Sequence, residues 1–134
     1  MEKAAITKYE SVGGFRRGNG VVTRLLVGKE NASSTIFTSG TTVFPPGAGA
    51  PMHSHNCSEQ VTILDGEAEV IVDGQSARLG RYDTTFIPAE RPHRFVNIGE
   101  RDLTILWIYG AREVTRTFTE TGETVAHLTA GDTV

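Results

Sequence analysis

The sequence contains a single cysteine, Cys57, among its 134 residues. One cysteine cannot form an internal disulfide, and it excludes a zinc site built from several thiolates. Net charge is also small, because 13 Lys and Arg residues stand against 16 Asp and Glu residues. A chain this mildly acidic has no electrostatic preference for nucleic acid or an anionic membrane, and we expect neither as a partner. The basic pair Arg16-Arg17 is interpreted as part of a solvated loop.

Long hydrophobic runs are missing as well. The first ten residues lack the apolar core of a signal peptide, and no later stretch approaches the roughly 20 apolar residues that span a bilayer. These absences predict a cytoplasmic protein. The chain length corresponds to one domain.

Helical periodicity is absent too, because no segment repeats apolar residues at positions i, i+3, i+4 and i+7. Short β-branched and aliphatic runs recur instead, for example at residues 21–27, 60–64 and 103–109. Turn residues separate them, which predicts an all-β sandwich or small barrel with little helix. The pairs Asp65-Gly66 and Asp73-Gly74 each lie between two such runs and predict tight hairpins, since type I′ turns need positive φ.

Histidine is scarce, with four in the chain, and three of them lie in two short segments. His53 and His55 project from the same face of a strand, roughly 7 Å apart, and could bind one ion. Glu59 could add a carboxylate oxygen, which suits the same divalent metals as imidazole. In the second segment Pro92 restricts the backbone before His93. A lone His-x-His is most often a surface pair, so the combination carries the hypothesis of a metal site.

Together the two segments resemble the conserved motifs of the cupins. The first motif, with two glycines, His-x-His and Glu, is matched by Gly47, His53, His55, Glu59 and Gly66. The second motif is matched by Pro88, His93 and Asn97. Two glycines of the second motif are replaced, by Tyr82 and Glu90, which puts the local loop shape in question. The resemblance covers about residues 33–110.

The resemblance implies a double-sheet jelly roll, also called a double-stranded β-helix, which is often dimeric. It implies one divalent transition metal per chain (Fe, Mn, Ni or Zn) on His53, His55, Glu59 and His93. Residues 1–32 would form an N-terminal segment whose strand packs on a dimer partner. Residues 33–110 would form the barrel, and residues 111–134 would add C-terminal strands and a tail.

A cavity beside this metal is expected to have mostly apolar walls. We predict its lining as Phe44, Met52, Val61, Ile63, Phe95 and Trp107. Such walls suit an organic substrate better than a sugar phosphate. Trp107 and Tyr109 share one face of a strand and could line this cavity, pack in the core or form a dimer interface.

Two further residues have alternative readings. Cys57 lies between the predicted ligands and is either a soft ligand, a redox-sensitive thiol or, as we expect, a small buried residue. His127 lies far from both motifs in the sequence, and we expect it on the surface.

The function predicted for this site is that of a metal-dependent enzyme with a small organic substrate. The sequence offers no evident general acid or base beyond Glu59, which favours a dioxygenase-type oxidoreductase. The first alternative is a non-redox Lewis-acid isomerase, cyclase or decarboxylase. The second is a small-ligand-binding protein without catalysis. No catalytic residue beyond the metal ligands is predicted.

Assembly is predicted from the strands at residues 21–27 and 103–109, which are more hydrophobic than a solvent-facing sheet should be. Burying them between two copies would cover an exposed edge and apolar surface together. We therefore expect a homodimer.

Overall fold

The computed structural model describes residues 1–134 and contains twelve β-strands and a short 3-10 turn at Tyr9–Ser11. The strands are β1 (Phe15–Gly18), β2 (Val21–Val27), β3 (Thr38–Phe44), β4 (His53–His55), β5 (Glu59–Asp65), β6 (Ala68–Val72), β7 (Gln75–Leu79), β8 (Thr84–Ile87), β9 (His93–Asn97), β10 (Leu103–Tyr109), β11 (Thr115–Phe118) and β12 (Thr124–Ala126). The prediction of an all-β chain is confirmed. No helix in it is long and apolar enough to cross a membrane.

The strands form two antiparallel sheets of six strands each. The first sheet has the order β1-β2-β3-β10-β5-β8, and the second has the order β12-β11-β4-β9-β6-β7. Strands distant in sequence are therefore neighbours, as in the pairs β3–β10 and β4–β9. This arrangement is the jelly roll that the two histidine segments implied.

The core lies between the sheets, and strict alternation along β10 builds much of it. Leu103, Ile105, Trp107 and Tyr109 are all buried, whereas the residues between them are half-buried on the outer face. Successive side chains of a strand point to opposite faces, so each inward residue meets the opposite sheet. Trp107 and Tyr109 consequently lie inside the barrel.

Both ends of the chain add strands to the two sheets. β1 and β2 extend the first sheet beside β3, and β11 and β12 extend the second sheet beside β4. In the β4–β11 pair, Arg116 is the partner of His55 and Phe118 is the partner of His53. Residues near the chain's C-terminus thus stand next to the histidine pair.

The two Asp-Gly pairs have different structures. Asp73 and Gly74 both have positive φ, and Val72 pairs with Gln75, so the predicted hairpin between β6 and β7 is confirmed. The hairpin prediction at Asp65-Gly66 is wrong, because β5 and β6 belong to different sheets. A Cβ atom on Gly66 would lie 2.6 Å from the Asp102 carbonyl oxygen, so glycine there permits a close backbone contact.

The two motif positions that lack glycine keep the backbone shape that glycine would favour. Tyr82 has φ of 72° and Glu90 has φ of 66°, both in the left-handed region. The Glu90 amide donates a 2.8 Å hydrogen bond to the His55 carbonyl, which ties this turn to β4. Side chains with a Cβ are strained there, by about 1–2 kcal/mol per residue.

We therefore expect Glu90→Gly to stabilise the protein. Relief of strain outweighs the extra entropy of glycine in the unfolded chain, and the free energy of unfolding should rise by about 1 kcal/mol. Glu90→Ala is the matched control, because it removes the exposed carboxylate but keeps the Cβ. Urea unfolding curves measure both variants, and equal stabilities of the two would contradict the strain.

Candidate metal centre

Three histidines meet inside the barrel. His53 and His55 lie on β4, His93 begins β9, and the antiparallel pairing of these strands sets His53 directly opposite His93. Their ring centroids are 4.4–5.6 Å apart, and one ring nitrogen of each lies within 4.8 Å of the others. All three side chains are buried.

A backbone carbonyl holds each imidazole by its Nδ1 atom. His53 Nδ1 lies 2.6 Å from the Pro51 oxygen, His55 Nδ1 lies 3.0 Å from the Thr115 oxygen and His93 Nδ1 lies 2.9 Å from the Arg91 oxygen. A carbonyl only accepts, so each Nδ1 carries the proton and donates. Every Nε2 is then left with a lone pair, the form in which imidazole binds a metal.

Glu59 reaches this cluster from the first sheet, at the start of β5. Its Oε1 atom lies 3.1 Å from His93 Nε2 and 3.9 Å from His55 Nε2, and it has no hydrogen-bond partner. Oε1 and the His93 nitrogen both carry lone pairs, so they repel unless a cation lies between them. Three imidazole nitrogens and one carboxylate oxygen form a donor set that fits a divalent transition metal.

The charge states of these groups agree with that fit. Burial raises the pKa of Glu59, but the neighbouring imidazoles of His93 and His55 outweigh this effect, and its pKa lies below the ordinary value. Burial lowers the pKa of His53 well below the ordinary value, and the positive charge of Arg116 adds to this effect. Burial also lowers the pKa of His55. A carboxylate and neutral imidazoles are the metal-binding forms.

Tyr109 adds a hydroxyl group beside the histidines. Its oxygen lies 3.3 Å from His55 Nε2, and its ring centroid lies 4.6 Å from that of His55. Burial raises the pKa of Tyr109 well above the ordinary value, and the negative charge of Glu59 acts in the same direction. The hydroxyl therefore keeps its proton at neutral pH. Of the three positions considered for Tyr109 from the sequence, the structure shows the one inside the barrel, at the cavity.

The histidines open onto a cavity of about 50 Å³. Of the residues predicted to line it, Phe44, Phe95 and Trp107 do so. Val61 and Ile63 point inward but are fully buried in the core, where packed side chains separate them from the cavity. Met52 is half-buried before β4 and lies outside the lining.

Two arginines also line the cavity, which corrects the expectation of walls with few polar groups. Arg17 and Arg116 are both buried, and each donates from Nη1 to Asp132 Oδ1, at 2.8 and 2.9 Å. The interpretation of Arg16-Arg17 as a solvated loop is therefore wrong for Arg17. β1 turns alternate residues inward, so Arg16 is exposed while Arg17 enters the barrel.

The two residues with alternative readings are now placed. Cys57 is a buried member of the hydrophobic core, and burial raises the pKa of its thiol to about 11. The expected surface position of His127 is wrong. Its half-buried ring packs edge-on against Trp107 and Tyr109, with centroids 5.0 and 5.1 Å away, because the C-terminal segment folds over the barrel.

Comparison with known proteins agrees with this geometry. The sequence profile described as "Cupin domain" matches residues 40–109, which contain all four predicted ligands. Uncharacterized protein MJ1618 of Methanocaldococcus jannaschii is 27% identical over 75% of this chain and 81% of its own. Polyketide synthase CurC of Streptomyces cyaneus is 30% identical over 59% of this chain, and the match covers 52% of that protein's length.

A solved structure with the same fold is that of the polyketide cyclase RemF from Streptomyces resistomycificus. It superposes with a TM-score of 0.71 and covers 98% of this chain and 89% of its own. Sequence identity is 17%, so this likeness supports the fold alone.

The position of His127 generates a prediction about acid stability. Burial, reinforced by the charge of Arg17, lowers its pKa to about 3. As pH falls below about 6.5, the unfolded chain takes up a proton that the folded chain excludes, so stability decreases. The loss should reach about 2 kcal/mol between pH 8 and pH 5.

His127→Gln should remove this part of the pH dependence while leaving the other histidines in place. The measurement is urea unfolding of both proteins in the presence of a chelator at each pH. If the free energies of unfolding of the two proteins fall in parallel between pH 8 and pH 5, the lowered pKa of His127 in the folded protein is contradicted.

Proposed function

The chain belongs to the cupin family, and from this premise we propose that it is an enzyme whose metal ion acts on a small organic substrate. The observation that carries the proposal is the contact of Glu59 Oε1 with His93 Nε2 at 3.1 Å, beside two further buried imidazoles, because a metal ion could bind these donor atoms together. His53, His55, Glu59 and His93 would hold one divalent transition metal per chain. When bound, this ion would polarise a carbonyl or carboxylate oxygen of the substrate.

The chain's own residues would bind and orient that substrate. Phe44, Phe95 and Trp107 provide apolar walls that exclude water from the cavity. The protonated Tyr109 hydroxyl lies 3.3 Å from His55 Nε2 and can donate a hydrogen bond to a substrate oxygen beside the metal ligands. The carbonyl groups that hold the three Nδ1 atoms keep the imidazoles in place.

Non-redox chemistry is the form of this function that we favour. The protonated Tyr109 hydroxyl can donate a hydrogen bond to a substrate oxygen that gains negative charge, which a non-redox reaction would use. Similarity to a polyketide synthase is compatible with the same class, a cyclisation, isomerisation or decarboxylation. A dioxygenase is the second candidate, because four protein ligands leave two octahedral positions free for substrate and dioxygen.

The first part of the test concerns the metal. Purified protein should contain close to one divalent transition metal per chain. His55→Ala should lower the metal affinity at least tenfold, because removing even a group that is hydrogen-bonded to a metal ligand typically costs about 10–100-fold. Gln60→Ala, on an exposed position of β5, is the control. Elemental analysis measures the content, and full occupancy in His55→Ala would refute this ligand set.

The second part separates the two chemistries. Protein loaded with redox-inert Zn²⁺ is offered 1,3-diketones, enediols and small organic acids without dioxygen. Turnover under these conditions supports the Lewis-acid function. Turnover that requires iron and consumes dioxygen supports the dioxygenase instead. A ligand that raises the melting temperature with no turnover in either condition would favour a binding protein without catalysis.

We also propose that the chain is a homodimer. Leu26, Val43 and Leu106 lie half-buried on neighbouring strands of the first sheet, on its outer face. Covering this apolar strip with a second copy would remove it from water. Light scattering should give twice the 14.5 kDa chain mass, and Leu106→Glu should reduce it to that of one chain. A 14.5 kDa particle for the unaltered protein at micromolar concentration would refute the dimer.

A further inference from the structure

The wall of the cavity contains two buried arginines. Arg17 and Arg116 both line it, and arginine stays protonated when buried. Their shared counterion is the carboxylate of Asp132, which is completely buried. The only other side-chain carboxylate at the cavity is that of Glu59, so a divalent ion bound to Glu59 would make the cavity positively charged.

Arg116 has a donor that no protein group uses. Its Nη1 atom donates to Asp132 Oδ1 at 2.9 Å and to the Thr133 carbonyl at 2.8 Å, but its buried Nε atom has no acceptor. The side chain is only 3% exposed, so bulk water does not satisfy this N–H. A buried N–H without an acceptor is costly, and a charged one more so, which points to an acceptor supplied by a ligand.

Strand register brings this donor near the histidines. Arg116 on β11 is the cross-strand partner of His55 on β4, and directly opposed side chains lie on one face of a sheet. Arg17 comes from β1 of the other sheet, and its Nε atom donates a 2.7 Å hydrogen bond to Thr23 Oγ1. The cavity therefore has the metal ligands and the guanidinium groups along its wall.

We propose that Arg116, together with Arg17, binds a singly charged carboxylate group of the ligand, and that the substrate is accordingly an organic anion. This inference rests on the proposed function in that it concerns the same cavity. The planar guanidinium group matches the two oxygens of a carboxylate, and the unpartnered Nε donor of Arg116 would gain an acceptor. Asp132 is the positioning residue that holds both arginines at the wall.

Binding of acetate and of acetamide, its neutral isostere, tests the proposal without any turnover. Trp107 is the only tryptophan of the chain and lines the cavity, so its fluorescence reports binding there. At constant ionic strength, the Zn²⁺-loaded protein should bind acetate about tenfold or more tightly than acetamide. Metal-free protein, titrated in parallel, should still bind acetate more tightly than acetamide, because the guanidinium groups that bind the carboxylate are present without the metal.

Variants assign the preference to the guanidinium groups. Arg116→Gln should reduce the acetate preference at least tenfold, and Arg116→Lys should restore part of it, since the charge returns without the planar donor pair. Arg16→Gln, on the neighbouring exposed position of β1, is the matched control and should behave as the unaltered protein.

Folding of each variant is checked by circular dichroism, and Arg17→Gln serves as an independent variant if Arg116→Gln does not fold. Equal binding of acetate and acetamide by the unaltered protein would overturn the inference, as would an equal loss in Arg16→Gln. Tighter binding of inorganic phosphate than of acetate would overturn the assignment to a single charge. A protein without metal affinity that still prefers acetate would refute the proposed function but not the carboxylate subsite.

Discussion

At the centre of this protein, Glu59 Oε1 lies 3.1 Å from His93 Nε2, and this contact links the two sheets. Glu59 comes from the first sheet and His93 from the second, so the contact exists only when the barrel is closed. Two buried lone pairs repel each other, and a cation between them turns that repulsion into attraction. This repulsion destabilises the folded protein without metal, and a bound metal ion would offset it.

The surroundings of this contact keep the donor atoms oriented. Backbone carbonyl groups hold the three Nδ1 atoms: those of Pro51 and Arg91 lie two residues before the histidine they hold, and that of Thr115 comes from the neighbouring strand β11. Low polarity in the interior keeps His53 and His55 neutral and Tyr109 protonated. The same low polarity strengthens the electrostatic interactions of the two arginines at the cavity wall.

Two features of this chain are energetically unfavourable: the left-handed backbone at Glu90 and the buried charges of Arg17 and Arg116. Glu90 keeps a left-handed backbone without being glycine, and its amide binds the His55 carbonyl, so the strained turn supports β4. Arg17 and Arg116 are buried with a single counterion, Asp132. Both features reduce the stability of the folded chain, and the two arginines lie in the wall of the cavity.

The sequence by itself determined the local features: strand content through alternating residues, the β6–β7 turn through Asp73-Gly74, and the metal-ligand candidates through histidine spacing on one strand. Such features depend on neighbours within a few positions. Only the tertiary structure decided the hairpin that does not form at Gly66, the burial of His127 and the meeting of Arg17 with Arg116. Their geometry depends on which strands pair and on how the chain ends fold onto the barrel, which no local pattern records.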